Sequence, residues 1–210
     1  MSTRRKASAI QRDFLIVIDR LRKFDSENQK KFSHSNPPKI SKNEMFFSTE
    51  SIFITVFREF ENFIRDVFLF YCLGKSTKSR RKIKSYLHPN DLNHAERLIQ
   101  SSLQFLDWNS PDSIIDRAEI YLEDGYPIKL PFTTHLNKLR EYKKIRNHIA
   151  HNSTTSFKDY IKVLTNHYPT LPLRIPKPGE FLLETEPVDI TKYKLQYYFD
   201  LVINIAKDII

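Results

Sequence analysis

The residues best equipped for chemistry lie in one short stretch, Lys143-Lys144-Ile145-Arg146-Asn147-His148-Ile149-Ala150-His151-Asn152-Ser153. At ~100° per residue, Arg146 falls four positions after Tyr142 and three before Ile149, so its cationic head starts inside an apolar stripe. A merely solvated charge would not be placed there. Asn147 and His151 are four apart and share a neighbouring face, so the amide can orient the imidazole. His151 falls in what reads as the last turn, where the helix dipole favours a protonated imidazole. His148 and His151 align, three apart. In RNA the 2′-OH is an internal nucleophile, so cleavage needs only an acid/base to move protons and a cation to hold the charge growing on the phosphate. On one straight helix Arg146 and His151 stand about 140° apart and ~7.5 Å along the axis. Two copies facing across a two-fold axis would converge them better.

Composition narrows the field around this stretch. The 210 residues contain 3 glycines, too few for glycine-built phosphate cradles or dinucleotide turns. Lys+Arg number 34 against 25 Asp+Glu, a formal charge of +9, which favours a polyanionic partner and nucleic acid first. With 16 Phe and 10 Tyr, the chain has the material for an aromatic core. The one cysteine, Cys72, sits in an apolar run and reads as a small core residue. No His-Glu-x-x-His, EF-hand or clustered-carboxylate pattern is present, so no metal or other cofactor is expected. The apolar runs, 14–18 and 67–73, are far short of the ~20 residues that span a bilayer, and a cytoplasmic protein without membrane contact is expected.

The elements that must position the motif follow from period. Phe14, Val17, Ile18, Leu21 and Phe24 predict a first helix, and residues 25–44, polar and carrying Pro37-Pro38, read as a loop. Phe53, Val56, Phe57, Phe60, Phe63, Ile64, Val67, Phe68 and Tyr71 form the strongest stripe, stopping near Gly74. Further helices are predicted around Leu92 to Leu106 and from Pro111 toward Gly125. The motif helix spans about 134–152 with Thr134 as its cap, and a closing helix follows from Leu195 to Ile209. Residues 165–190 hold five prolines and read as an irregular excursion in which Phe181-Leu182-Leu183 suits a short strand. The expectation is one all-α domain over 1–210, a bundle of about five to six helices.

Arg146-Asn147-x-x-x-His151, late in a helix of such a domain, resembles the Arg-polar-x-x-x-His motif of HEPN domains. Many of these are metal-independent endoribonucleases acting as toxins or in phage defence. The segment Phe57-Arg58-Glu59-Phe60-Glu61-Asn62-Phe63-Ile64-Arg65-Asp66 is similar to the long acidic-and-aromatic helix that precedes the motif helix in that family. The resemblance spans residues 46–155 and the closing helix. It implies that Arg146 and His151 are catalytic, that Asn147 positions them, and that Glu61 contacts the motif from the neighbouring helix. It also implies an RNA substrate, a homodimer with both motifs lining one cleft and, for a toxin, a neutralising partner such as a small nucleotidyltransferase. One departure is local: a small residue, often glycine, commonly follows the motif histidine, and here Asn152 does.

Several residues carry more than one reading. His148 is a second acid/base, half of a metal site with His151 or, as paired histidines without a third ligand more often are, a solvent-facing side chain. Tyr142 is the one aromatic near enough to the motif to stack on a base, the other Phe and Tyr stripes being core. Lys75, Lys78, Arg80, Arg81, Lys82 and Lys84 form a run without an acidic residue, either a solvated loop or a track for a phosphate backbone, and Lys143 and Lys144 add charge beside the motif. The rival to catalysis is a non-catalytic helical dimer that binds RNA, a nucleotide or a protein partner through the same basic surface.

Overall fold

The strongest apolar stripe folds as the longest helix, α2 (Lys42–Cys72). Its start is written locally: Glu44 accepts from the Ser41 N–H at 2.7 Å while the Ser41 hydroxyl accepts from the Glu44 N–H at 3.3 Å, a reciprocal cap. Its end is set by Gly74, whose φ of +66° is the left-handed conformation that closes helices and that glycine adopts at least cost. In the computed structural model, which describes residues 6–33, 37–101 and 106–210, the other helices are α1 (Ala7–Ser33), α3 (Leu92–Gln100), α4 (Pro111–Tyr121), α5 (Lys129–Thr134), α6 (Leu136–His151), α7 (Thr154–His167), α8 (Pro178–Leu182) and α9 (Lys194–Ile209). A two-stranded antiparallel sheet, β1 (Thr185–Glu186) with β2 (Asp189–Tyr193), precedes α9. The protein is mostly helical.

Several elements depart from the sequence reading. Residues 25–33 continue α1 instead of starting a loop, because Asp25 and Asn28 are buried on its inner face although neither is apolar. Asn28 is accommodated by donating to the Ser48 hydroxyl at 2.6 Å. Thr134 does not cap the motif helix; its hydroxyl donates to the Leu130 carbonyl at 2.9 Å at the end of α5, and α6 begins after His135. Residues 154–167, to which the sequence pattern assigns no helix, form α7. Phe181 and Leu182 form the last turn of α8, started by Pro178 in its first position, and not a strand. Leu103, assigned to the helix that became α3, lies outside the described residues.

The described residues divide into two compact units, one drawn from those within Met1–Ile16, Glu59–Arg140 and Ile203–Ile210, the other from those within Val17–Arg58 and Glu141–Val202. In the first, Phe14 stacks on Phe63 with centroids 4.7 Å apart, Phe60 stacks on Phe132 at 6.1 Å, and the Tyr71 hydroxyl donates to the Ile209 carbonyl at 2.7 Å. In the second, Phe53, Tyr142 and Tyr198 form a triad of rings, Tyr198 lying 4.4 Å from Tyr142 and 5.0 Å from Phe53. Fully burying an apolar side chain of this size contributes ~1.5–3 kcal/mol, and each well-oriented aromatic pair about 0.5–1.5 kcal/mol more. The triad packs α2, α6 and α9 together in the second unit.

Candidate functional site

The motif residues lie in the second unit, on the last two turns of α6. Arg146 is half-buried. Its guanidinium carbon lies 5.8 Å from the centroid of the Phe57 ring of α2, and its Nη1 donates to the Asn147 Oδ1 at 3.2 Å. The apolar stripe therefore does receive the arginine stem, and an aromatic face and an amide hold the head. Through its amide oxygen Asn147 steadies the Arg146 cation. His151 is the last residue of α6 and is exposed.

Asn152 has φ +43° and its N–H donates to the His148 carbonyl at 3.0 Å. It ends α6 in the left-handed conformation, which asparagine tolerates best after glycine. The residue that departs from the HEPN pattern thus occupies a backbone position at which glycine is the ordinary choice. Ser153 then starts α7 at once: its hydroxyl accepts from the Ser156 N–H at 3.2 Å, and Ser156 Oγ accepts from the Ser153 N–H at 2.9 Å. Two residues join the helices.

This tight return decides which histidine faces inward. His148 is 9% exposed, and its ring stacks on Tyr160 of α7 with centroids 4.9 Å apart and planes 18° apart. The reading of His148 as solvent-facing is corrected. Burial holds its imidazole below the usual histidine value, and its Nδ1 is enclosed without a hydrogen-bond partner. Tyr142 is likewise not presented to a base: it is 3% exposed, its hydroxyl directed to the Lys194 carbonyl at 3.4 Å, and burial raises its phenol well above the ordinary range. Lys143 and Lys144 are half-buried on α6.

Beside the motif is a cavity of about 380 Å³, lined by Glu50 of α2, His148 and Ile149 of α6, Asn152, and Phe157 and Tyr160 of α7, and closed by residues 175–178. Glu50 accepts from the Gly179 N–H at 2.9 Å, and the Tyr160 hydroxyl donates to the Pro176 carbonyl at 3.0 Å, so both walls are tied to the chain that closes them. Sequence reasoning missed Glu50, Phe157, Tyr160 and this closing segment. A signal existed for α7: Ser153 followed three residues later by Ser156, then Tyr160, Val163 and Leu164 at helical spacing.

The basic run belongs to the first unit, as does Glu61, half-buried on α2. Lys75, Lys78, Arg80, Arg81, Lys82 and Lys84 are all exposed and non-helical, with Ser76 and Lys82 bridged as in an antiparallel ladder. Two of the six cations are engaged: Lys84 pairs with Glu123 at 2.5 Å and Arg81 lies 3.8 Å over the Tyr126 ring. Cys72 is buried, and desolvation pushes its thiol up to about 12, so it is an inert core residue. Among the described residues no group of three or more His, Cys, Asp or Glu side chains is placed to hold a metal ion, and no helix is long and apolar enough to cross a membrane.

Compared with protein families, curated proteins and solved structures, the chain matches none of them.

Proposed function

We propose that the protein is a metal-independent endoribonuclease of the HEPN type, working in the cytoplasm as a toxin or phage-defence effector. The observation that supports this most is the end of α6: an exposed His151 follows an Arg146 whose head is held by Asn147 and Phe57. In this reading His151 takes the proton from a ribose 2′-OH, whose oxygen attacks the adjacent phosphorus. The P–O5′ bond breaks, and the departing oxygen receives a proton. The products are a 2′,3′-cyclic phosphate and a 5′-OH end, so water enters no bond in this step. Arg146 carries the negative charge that grows on the phosphate oxygens, and its half-buried site makes that attraction stronger than in bulk water.

The ~140° between the two residues on one helix is met by a homodimer, in which the second copy's motif completes the cleft. Asn147 is a positioning residue. A neutralising partner, such as a small nucleotidyltransferase, belongs to the toxin form of the proposal. The deciding experiment incubates purified protein with RNA in EDTA and reads the ends. Cleavage to 2′,3′-cyclic phosphates that disappears in His151→Ala and Arg146→Ala supports the proposal, and wild-type rates in both variants overturn it.

The exposed basic run favours one second reading, a helical protein that binds RNA without cleaving it. Affinity that falls steeply with salt in a protein inert toward RNA would select this reading.

A further inference from the structure

We infer that the cavity beside the motif is a nucleobase site that prefers guanine. The substrate being RNA rests on the ribonuclease reading; the base preference rests on the cavity alone. At about 380 Å³ it lies within the ~300–1,000 Å³ of small-molecule sites and has room for a purine. Its lining includes Asn152, the residue directly after the motif histidine.

The lining selects the chemistry. The lining carries one cation, Lys177, and one carboxylate, Glu50, so a phosphate group gains little net attraction inside, while the exposed lysine suits a phosphate at the rim. A purely aliphatic ligand would leave the Glu50 carboxylate without water and without new donors. A flat ring bearing N–H donors satisfies both conditions. Phe157, 42% exposed, lines the same cavity and offers a face for stacking, which is sequence-tolerant because every base has a π-face.

Glu50 supplies discrimination. The Gly179 N–H fixes one of its oxygens at 2.9 Å, and a carboxylate accepts through both oxygens with lone pairs to spare. Guanine presents N1–H and the N2 amino group side by side on one edge, two donors to one carboxylate. Adenine and cytosine offer an amino group beside a ring nitrogen acceptor, and uracil an N–H flanked by carbonyls, so each sets a lone pair against the carboxylate. The site is also preorganised. A Cβ on Gly179 would lie 2.2 Å from the Phe46 carbonyl oxygen, so the closing segment is seated against α2, and Tyr160 holds Pro176 from α7.

The test is calorimetric titration of the protein with GMP, AMP, CMP and UMP. GMP is expected to bind at least tenfold tighter than the others. Glu50→Gln keeps an oxygen for the Gly179 N–H but loses the charge and one acceptor, and is expected to lose about tenfold for GMP alone. Phe157→Ala is expected to weaken all bases several-fold, and thermal melts confirm that each variant is folded. Equal affinities for the four nucleotides, or a folded Glu50→Gln that binds GMP like wild type, overturn the assignment. If RNA is cleaved without such binding, the guanine site falls and the ribonuclease stands. Glu50-dependent GMP binding by a protein that cleaves no RNA upholds the site and removes the ribonuclease reading.

Discussion

The ring of His148 stacks on that of Tyr160, centroids 4.9 Å apart, while His151, one turn later on the same helix, is exposed. The two histidines of the motif region therefore stand in opposite environments. His148→Ala is expected to cost about 2–3 kcal/mol in urea unfolding, as loss of a buried ring does, and His151→Ala less than about 0.5 kcal/mol. Burial depresses the His148 imidazole below its ordinary 6.5. Between that folded value and 6.5 the unfolded chain binds the extra proton, so this contribution is complete above pH 6.5 and declines as the pH falls toward the folded value. The stability of wild type minus that of His148→Phe should fall as the pH drops below 6.5.

Arg146 is held by two weak ties, the Asn147 amide at 3.2 Å and the Phe57 face at 5.8 Å. Asn147→Ala removes the first and is expected to reduce the RNA cleavage rate about tenfold, while Arg146→Lys, which keeps the charge but not the planar fork, is expected to lose ~10²-fold or more. Single-turnover kinetics measure both. An Asn147→Ala enzyme at wild-type rate would remove the positioning role from this amide.

Asp25 is 1% exposed on α1, and burial pushes its carboxyl from 3.8 up to about 6. Between those values the folded chain keeps a proton that the unfolded chain has released, so stability declines as the pH rises from about 4 to 6 and is level above. The cost at neutral pH is on the order of 2–3 kcal/mol. Asp25→Asn is expected to recover much of it at pH 7 and to abolish the decline. The slopes from Asp25 and His148 oppose each other, so each is read from the difference between wild type and its own variant.

Gly179 is required by distance, not by φ. A Cβ there would lie 2.2 Å from the Phe46 carbonyl oxygen and 2.8 Å from its carbon, both backbone atoms of α2. Gly179→Ala must push the segment away from the helix, at a cost of about 1–3 kcal/mol, and should loosen the bond from its N–H to Glu50. Chemical denaturation gives the first quantity, and weaker GMP binding reports the second.

Local period alone placed the body of α2, its end at Gly74, the proline start of α4, the motif on α6 and the whole of α9, because each is a repeat of apolar side chains bounded by its own punctuation. It failed where the inward face is polar, as at Asp25 and Asn28. It also failed where the helix is short, as at α8, whose Phe181 and Leu182 are equally apolar in a strand or a helical turn. For the site, the spacing of Arg146, Asn147 and His151 on one helix was legible. Which side of that helix is covered was not. The period says which residues share a face, but coverage depends on the two-residue return at Asn152-Ser153 that lays Tyr160 on His148, and on the Glu50 to Gly179 bond made across 129 positions of the chain. Those contacts bury one histidine, leave the other in water and open a cavity beside it, and only tertiary packing makes them.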